Sequence, residues 1–323
     1  MKPTILFLVA LLGFGSESFS QTVAHSCIAP HYKLVPVPMR PSHIADTGVV
    51  AGTTPQRHAA VWSEHGALEQ AAIPPGFNIA EGMSINRAGV LIGVATTADG
   101  TKRHGFLFRS GKLTLLPGQQ SKPTAINEAG VVVGESVLPK KQSSGAAMWQ
   151  DGSLIDLGAC CGGGASGINN KGQIIGQIYD KDSRYHAFLW NHGQIIMIGS
   201  PDEYTSPVAI DDLGRVVVQT FPGNLLYEDG KLTSLTFSTK FPSQPRAMNN
   251  CGAIVGSFGP HSDALRAFIW DKSNGFVDLN QRIAAGTGWT LEVASGINND
   301  GAIVGWGDYK KDEDAGFLLV PEW

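Results

Sequence analysis

Three histidines hold one place in a recurring phrase: His58 opens HAAVW, His104 opens HGFLF and His186 opens HAFLW. Imidazoles at matched positions are the groups that bind zinc or carry protons near neutral pH. Two acidic runs, Asp180 with Asp182 and Asp308 with Asp312, Glu313 and Asp314, offer oxygens of the kind that hold Ca²⁺. Neither has the spacing of a calcium loop, and lysines interrupt both, so solvated loop charge is the simpler account. A third set, Asp202, Glu203, Tyr204, Arg282, Trp289 and Glu292, lies outside the recurring phrase. Carboxylates with a tyrosine and an arginine are the ingredients of acid–base chemistry on a glycan, and Trp289 could stack on a ligand. The sequence has no G-x-S-x-G elbow, H-E-x-x-H pair, P-loop or dinucleotide fingerprint.

What must position these residues is a repeat. Aligned on Gly48, Gly89, Gly130, Gly172, Gly214, Gly252 and Gly301, successive units differ by 41, 41, 42, 42, 38 and 49 residues. Each unit has a first half such as INNKGQIIG (168–176) and a second such as HAFLWNHGQI (186–195). Both halves read as hairpins: short apolar runs flank a turn that starts with Asn or Asp and ends with Gly. Two hairpins give four strands, a to d, and four strands in about 41 residues match a propeller blade. The expected fold is therefore all-β, a seven-bladed β-propeller.

The seventh unit has strands a, b and c but no d. Residues 32–38 stand before the first unit, and Lys33-Leu34-Val35-Pro36 resembles Lys112-Leu113-Thr114-Leu115 of a strand d. The N-terminal segment is expected to complete the last blade, which makes residues 32–323 one domain after a tail at 21–31.

The units resemble the HAF repeat of secreted bacterial proteins, named for the triplet that stands here as His186-Ala187-Phe188. The resemblance covers nearly all of 32–323, with the full triplet once and relaxed versions elsewhere. It implies an extracellular repeat protein and brings no assigned reaction or catalytic residue.

Residues 1–20 agree with that compartment: Lys2, an apolar stretch from Ile5 to Phe14 and Ser18-Phe19-Ser20 read as a cleaved signal peptide. The alternative is a membrane anchor, but the run is too short to span a bilayer. The expected location is secreted or periplasmic. A net charge of −4 without a basic stripe argues against nucleic acid. An oxidising compartment permits disulfides, and four cysteines allow three pairings. In the blade scheme Cys27 and Cys251 lie at one end of the barrel and are expected to pair. Cys160 and Cys161, at the other end, bond each other or stay reduced.

All a–b and c–d turns fall on one face and all b–c and d–a loops on the other. The first face repeats one tight turn; the loops of the second differ in every unit, and function concentrates in such loops. Asp202, Glu203, Tyr204, Arg282, Trp289 and Glu292 are the ligand-binding candidates there. The histidines sit in strand c, too far from the axis for one ion to collect them, so a ring nitrogen bonded to backbone at the blade edge is expected. Trp149, Trp190 and Trp270, with Trp62, Phe108 and Tyr227, share a slot that suits packing between blades. Asn127, Asn169, Asn249 and Asn298 read as turn formers with no further role. No catalytic residue, metal or cofactor is assigned.

Three functions fit: a secreted recognition scaffold, favoured by the variable loops and the missing catalytic signature; an enzyme of glycan lyase or hydrolase type at the channel mouth; and a structural cell-surface protein without a small ligand. The scaffold would act as a monomer and take a protein, peptide or glycan at the loop face.

Overall fold

Strand b of each unit explains the architecture. Val132 and Val133, or Ile174 and Ile175, are consecutive residues that point to opposite faces of a strand, yet all four are buried. A sheet covered on both faces needs apolar residues at every position, and here each blade is covered by its two neighbours. The computed structural model describes residues 26–138, 143–159, 162–221, 223–237, 241–310 and 312–323. The signal-peptide reading, Cys160 and Cys161 lie outside the described residues.

Seven four-stranded antiparallel sheets follow one another as blades 1 to 7, spanning 40–70, 79–115, 119–156, 164–198, 205–235, 243–278 and 289–322. In blade 4 strands a to d are Gly164–Ile168, Ile174–Tyr179, Tyr185–Asn191 and Gln194–Ile198. Blade 7 takes its outer strand from the N-terminus: His31–Val37 pairs antiparallel with Asp312–Glu322, from His31 opposite Glu322 to Val37 opposite Gly316. The strand runs one residue earlier than the 32–38 expected from sequence. Pro38 has no N–H to give a ladder, and Pro38 and Met39 form the two-residue link into strand a of blade 1, Arg40–Ile44. The propeller is thus closed by its own N-terminal strand.

The core is divided among the seven seams. Ile92 of blade 2 packs with Ile126, Val132 and Trp149 of blade 3. Val217 of blade 5 packs with Ile254 and Phe268 of blade 6. Trp62, Phe108, Trp149, Trp190, Tyr227 and Trp270 each join a different one of these clusters.

Two features recur where the strands a converge. First, each strand a carries a bulge, one extra residue against strand b. At the bulge shared by all seven, the extra residues are Ser42, Met83, Thr124, Ser166, Val208, Arg246 and Ser295; blade 7 has a further extra residue, Glu292, and blade 3 a further register shift between Gln119 and Lys122. A bulge re-aims a side chain, and the hydroxyls of Ser42, Thr124, Ser166 and Ser295 turn back to a carbonyl of strand b in their own blade. Strand b answers with glycine in every blade but the fifth, which has Val218: a Cβ on Gly176 would collide with the carbonyl of Gly164 beside the bulge. Second, the a–b turns are stitched together. Asn86 donates its side-chain amide to the carbonyl of Asn127, Asn127 to that of Asn169, Asn169 to that of Asp211, and Asn249 to that of Asn298. The asparagines expected only to shape turns also join blade to blade.

Candidate functional site

On the b–c and d–a face a cavity of about 1040 Å³ opens between blades 6, 7, 1 and 2. The bulged residues Arg246, Ser295, Ser42 and Met83 form part of its wall. Arg246 stands where the other six blades place serine, threonine, methionine or valine, so the bulge that tucks away a hydroxyl elsewhere presents a guanidinium here. Arg40 follows the Pro38-Met39 link and enters the cavity from the rim. Trp306 comes from strand b of blade 7, Ile303–Tyr309, directly after Gly305. The corresponding residues are Thr53, Val94, Glu135, Gln177, Gln219 and Ser257 in the other blades.

These three side chains meet. The Arg40 guanidinium carbon lies 4.1 Å from the centroid of the Trp306 ring, and that of Arg246 lies 5.7 Å from it. A cation on an indole face gains about 0.5–1 kcal/mol when exposed and about 2 when desolvated. The two cations are poorly neutralised. Arg40 has Asp314 at 3.7 Å, with both side chains more than half exposed, a geometry in which an ion pair contributes little. Among the described residues no hydrogen bond or ion pair engages Arg246. Its guanidinium meets solvent inside the cavity while protein surrounds it, and burial first, then the charge of Arg40, pull its pKa below the usual arginine value.

The rest of the wall is mixed. Arg57 is held by Glu81 at 2.7 Å. Asp312, Glu313 and Asp314 line one side, with Met39, Met83 and Pro245 among the apolar residues. Trp289 stacks on Tyr309 with ring centroids 4.9 Å apart and planes 24° apart. Beside the wall, the Glu292 carboxyl is pushed up, by burial first and then by Asp308, Asp314 and Glu313.

Of the six residues singled out from sequence, this cavity gathers Trp289 alone. Trp289 is not a loop residue as expected: it begins strand a of blade 7, Trp289–Ile297, opposite Tyr309. It also borders a second cavity of about 780 Å³ with Arg282 and Tyr32. Arg282 serves the N-terminal segment there: its carbonyl accepts from the Tyr32 N–H at 2.9 Å, and its Nη1 donates to the Pro30 carbonyl at 3.3 Å. Glu292 lies inside strand a of blade 7 rather than in a loop. Asp202, Glu203 and Tyr204 belong to the connection between blades 4 and 5, where Tyr204 packs edge-on to Tyr185 at 5.1 Å. Arg40, Arg246 and Trp306 were not singled out. The signal for Arg246 was available as a departure from the repeat, but it required knowing which residue of strand a is bulged.

The three histidines are spread over three blades. Nδ1 of His58 lies 3.3 Å from the Ala71 carbonyl oxygen, and Nε2 of His104 lies 2.8 Å from that of Leu116. His186 departs from the expected backbone partner: its Nε2 is 3.1 Å from Oδ2 of Asp180. Asp180 also accepts from the N–H groups of Asp182 and Arg184 and from Nε of Arg184. The bond to His186 first, with burial opposing and the Arg184 contacts assisting, holds the Asp180 pKa down at about 2. Among the described residues no three His, Cys, Asp or Glu side chains are grouped to hold a metal ion.

No family model matches the chain. No curated protein matches it either. Solved structures do. The β-propeller domain of the Trilobed protease from Pyrococcus furiosus is 11% identical with a TM-score of 0.61, covering 90% of this chain and 96% of that one. Virginiamycin B lyase from Staphylococcus aureus is 14% identical with a TM-score of 0.57, covering 90% and 99%. The WD40 β-propeller domain of Doa1 is 16% identical with a TM-score of 0.57, covering 90% and 97%. At these identities the likeness is one of fold, shared by a protease domain, a lyase and a WD40 domain.

Proposed function

We propose that the protein is an extracytoplasmic recognition scaffold that takes its ligand, a protein, peptide or glycan, at the mouth of the cavity on the b–c and d–a face. The observation that carries this reading is the Arg40–Trp306–Arg246 group: two under-neutralised cations on one indole in the wall of a ligand-sized recess. Such a group adds nothing evident to the fold, whose seams are already closed by the core clusters and the asparagine bonds. The HAF-like repeat and the Cys27–Cys251 disulfide support an oxidising compartment.

The test is a glycan and peptide array probed with the full chain and two variants. Trp306→Ala removes the indole, and Lys171→Glu reverses a charge on the opposite face. Binding lost in the first and kept in the second supports the assignment. Binding kept in the first and lost in the second moves the site to the a–b face and overturns it.

Glu292 favours a second reading, an enzyme of glycan lyase or hydrolase type. A carboxyl pushed up by burial and neighbouring acids is the form a general acid takes. In that case Glu292→Gln abolishes turnover of an array glycan and leaves its binding intact.

A further inference from the structure

The geometry points to a carboxylate subsite formed by Arg246 and Arg40 over Trp306, for a ligand that carries one negative charge on a flat or apolar body. The inference rests on the channel-mouth reading above and narrows its ligand.

Arg246 is the starting point. Among the seven residues at the bulge that all blades share it is the one that carries charge, and no described carboxylate or carbonyl accepts from it. Arginine has five N–H donors in a planar fork that suits a planar carboxylate. With both guanidinium groups resting on one indole, their freedom is partly restricted before any ligand arrives, so less of it is lost on binding. Like charges held within roughly 10 Å of one another repel, and an anion between them removes that cost.

The surroundings set the rest of the ligand. Glu81, Asp312, Glu313 and Asp314 also face the cavity, and Arg57 is committed to Glu81. A dianion would gain at the arginines and lose at these acids; a single carboxylate meets the two cations with the smallest opposing interaction. The cavity is far larger than a carboxylate. Its remaining wall, with Trp289, Tyr309, Met39 and Met83, suits an aromatic or aliphatic body.

Isothermal titration with N-acetylphenylalanine, its primary amide and phenyl phosphate tests the proposal on the full chain. The acid should bind at least tenfold more tightly than the amide and more tightly than the phosphate. Arg246→Gln should erase the difference between acid and amide, Arg246→Lys should keep a weaker one, and the melting temperature of both should match the parent. Equal affinity for acid and amide overturns the carboxylate subsite but leaves the mouth as a binding site. Tighter phosphate binding overturns the single-charge assignment. Absence of saturable binding by the parent chain, or an acid preference that survives Arg246→Gln, overturns the subsite outright.

Discussion

The side-chain amide of Asn298 donates to the carbonyl oxygen of Ala45 at 3.2 Å, joining the last blade to the first across 253 residues of chain. The same bond links most neighbouring a–b turns, and one residue further on a second series runs beside it. There the N–H of Asn170 donates to Asp212, that of Asp212 to Asn250, that of Asn250 to Asn299 and that of Asn299 to Asp46. The asparagine series is interrupted at two places, and each has a substitute. Ala45 cannot donate to blade 2, and Arg87 bridges to Asp46 at 2.7 Å instead. Asp211 cannot donate to blade 6, and Arg215 spans the gap, with Nε on Asp211 at 2.6 Å and Nη2 on the Asn250 carbonyl at 3.1 Å.

Asn127 therefore matters to stability beyond the shape of its turn. Its Oδ1 accepts from the Val131 N–H at 2.9 Å, and its Nδ2 donates to the Asn169 carbonyl at 3.2 Å. Asn127→Ala leaves the buried Asn169 carbonyl and the part-buried Val131 N–H without these bonds and should destabilise the protein by about 2 kcal/mol in chemical denaturation. Asn127→Asp should be at least as harmful, because it replaces the donor with a charge. Adding Val131→Arg to Asn127→Asp copies the Asp211–Arg215 arrangement and should recover part of the loss. A double variant no more stable than Asn127→Asp would show that the arginine does not substitute for the amide.

The disulfide adds a second closure. Cys27 and Cys251, with Cα atoms 5.9 Å apart, tie the segment before the N-terminal strand to the a–b turn of blade 6. Near it the Cys27 N–H donates to Asp271 at 3.2 Å, and Asn274 donates to Ser26 at 2.9 Å. The bond encloses most of the chain, and loops of that length carry the largest effect on the unfolded state. Cys251→Ser should cost about 2–4 kcal/mol, seen as a lower melting temperature without reductant. Dithiothreitol should lower the parent to the same value and leave the variant unmoved. A parent indifferent to reductant would exclude a stabilising role.

The contrast between fold and site follows from what repeats. Seven glycine-closed turns, apolar strands b and a missing last strand d all speak of backbone geometry, and each unit states it again. That is why the blade count, the N-terminal closure and the Cys27–Cys251 pair were legible. The site lies where the repeat departs from itself. Arg246 reads as one more strand residue until the bulge at Pro245/Ala247 is seen to re-aim it. Trp289 and Glu292 looked like loop residues because strand a of blade 7 runs to nine residues, beyond the repeat's usual length. Arg40 and Trp306 are 266 positions apart in sequence, and only closure of blade 7 onto blade 1 makes them neighbours.

His43 is another departure, and it should set the acid limit of the protein. It stands next to the bulge of blade 1, where the other blades have Ser84, Ala125, Gly167, Ala209, Ala247 and Gly296. Its Nδ1 is buried without a partner among the described residues. Burial brings its pKa down to about 4, against the opposing charge of Asp46 and a bond to the Ile85 backbone. The folded protein therefore keeps His43 neutral, while the unfolded chain protonates it near pH 6.5. Between those two values the unfolded state holds the extra proton, so stability falls as the pH drops from about 6.5 to about 4. The contribution is on the order of 2–3 kcal/mol across that window. His43→Ser, copying blade 2, should flatten this limb of a plot of unfolding free energy against pH while changing stability little at pH 8. A limb equally steep in the variant would assign the acid sensitivity to other groups.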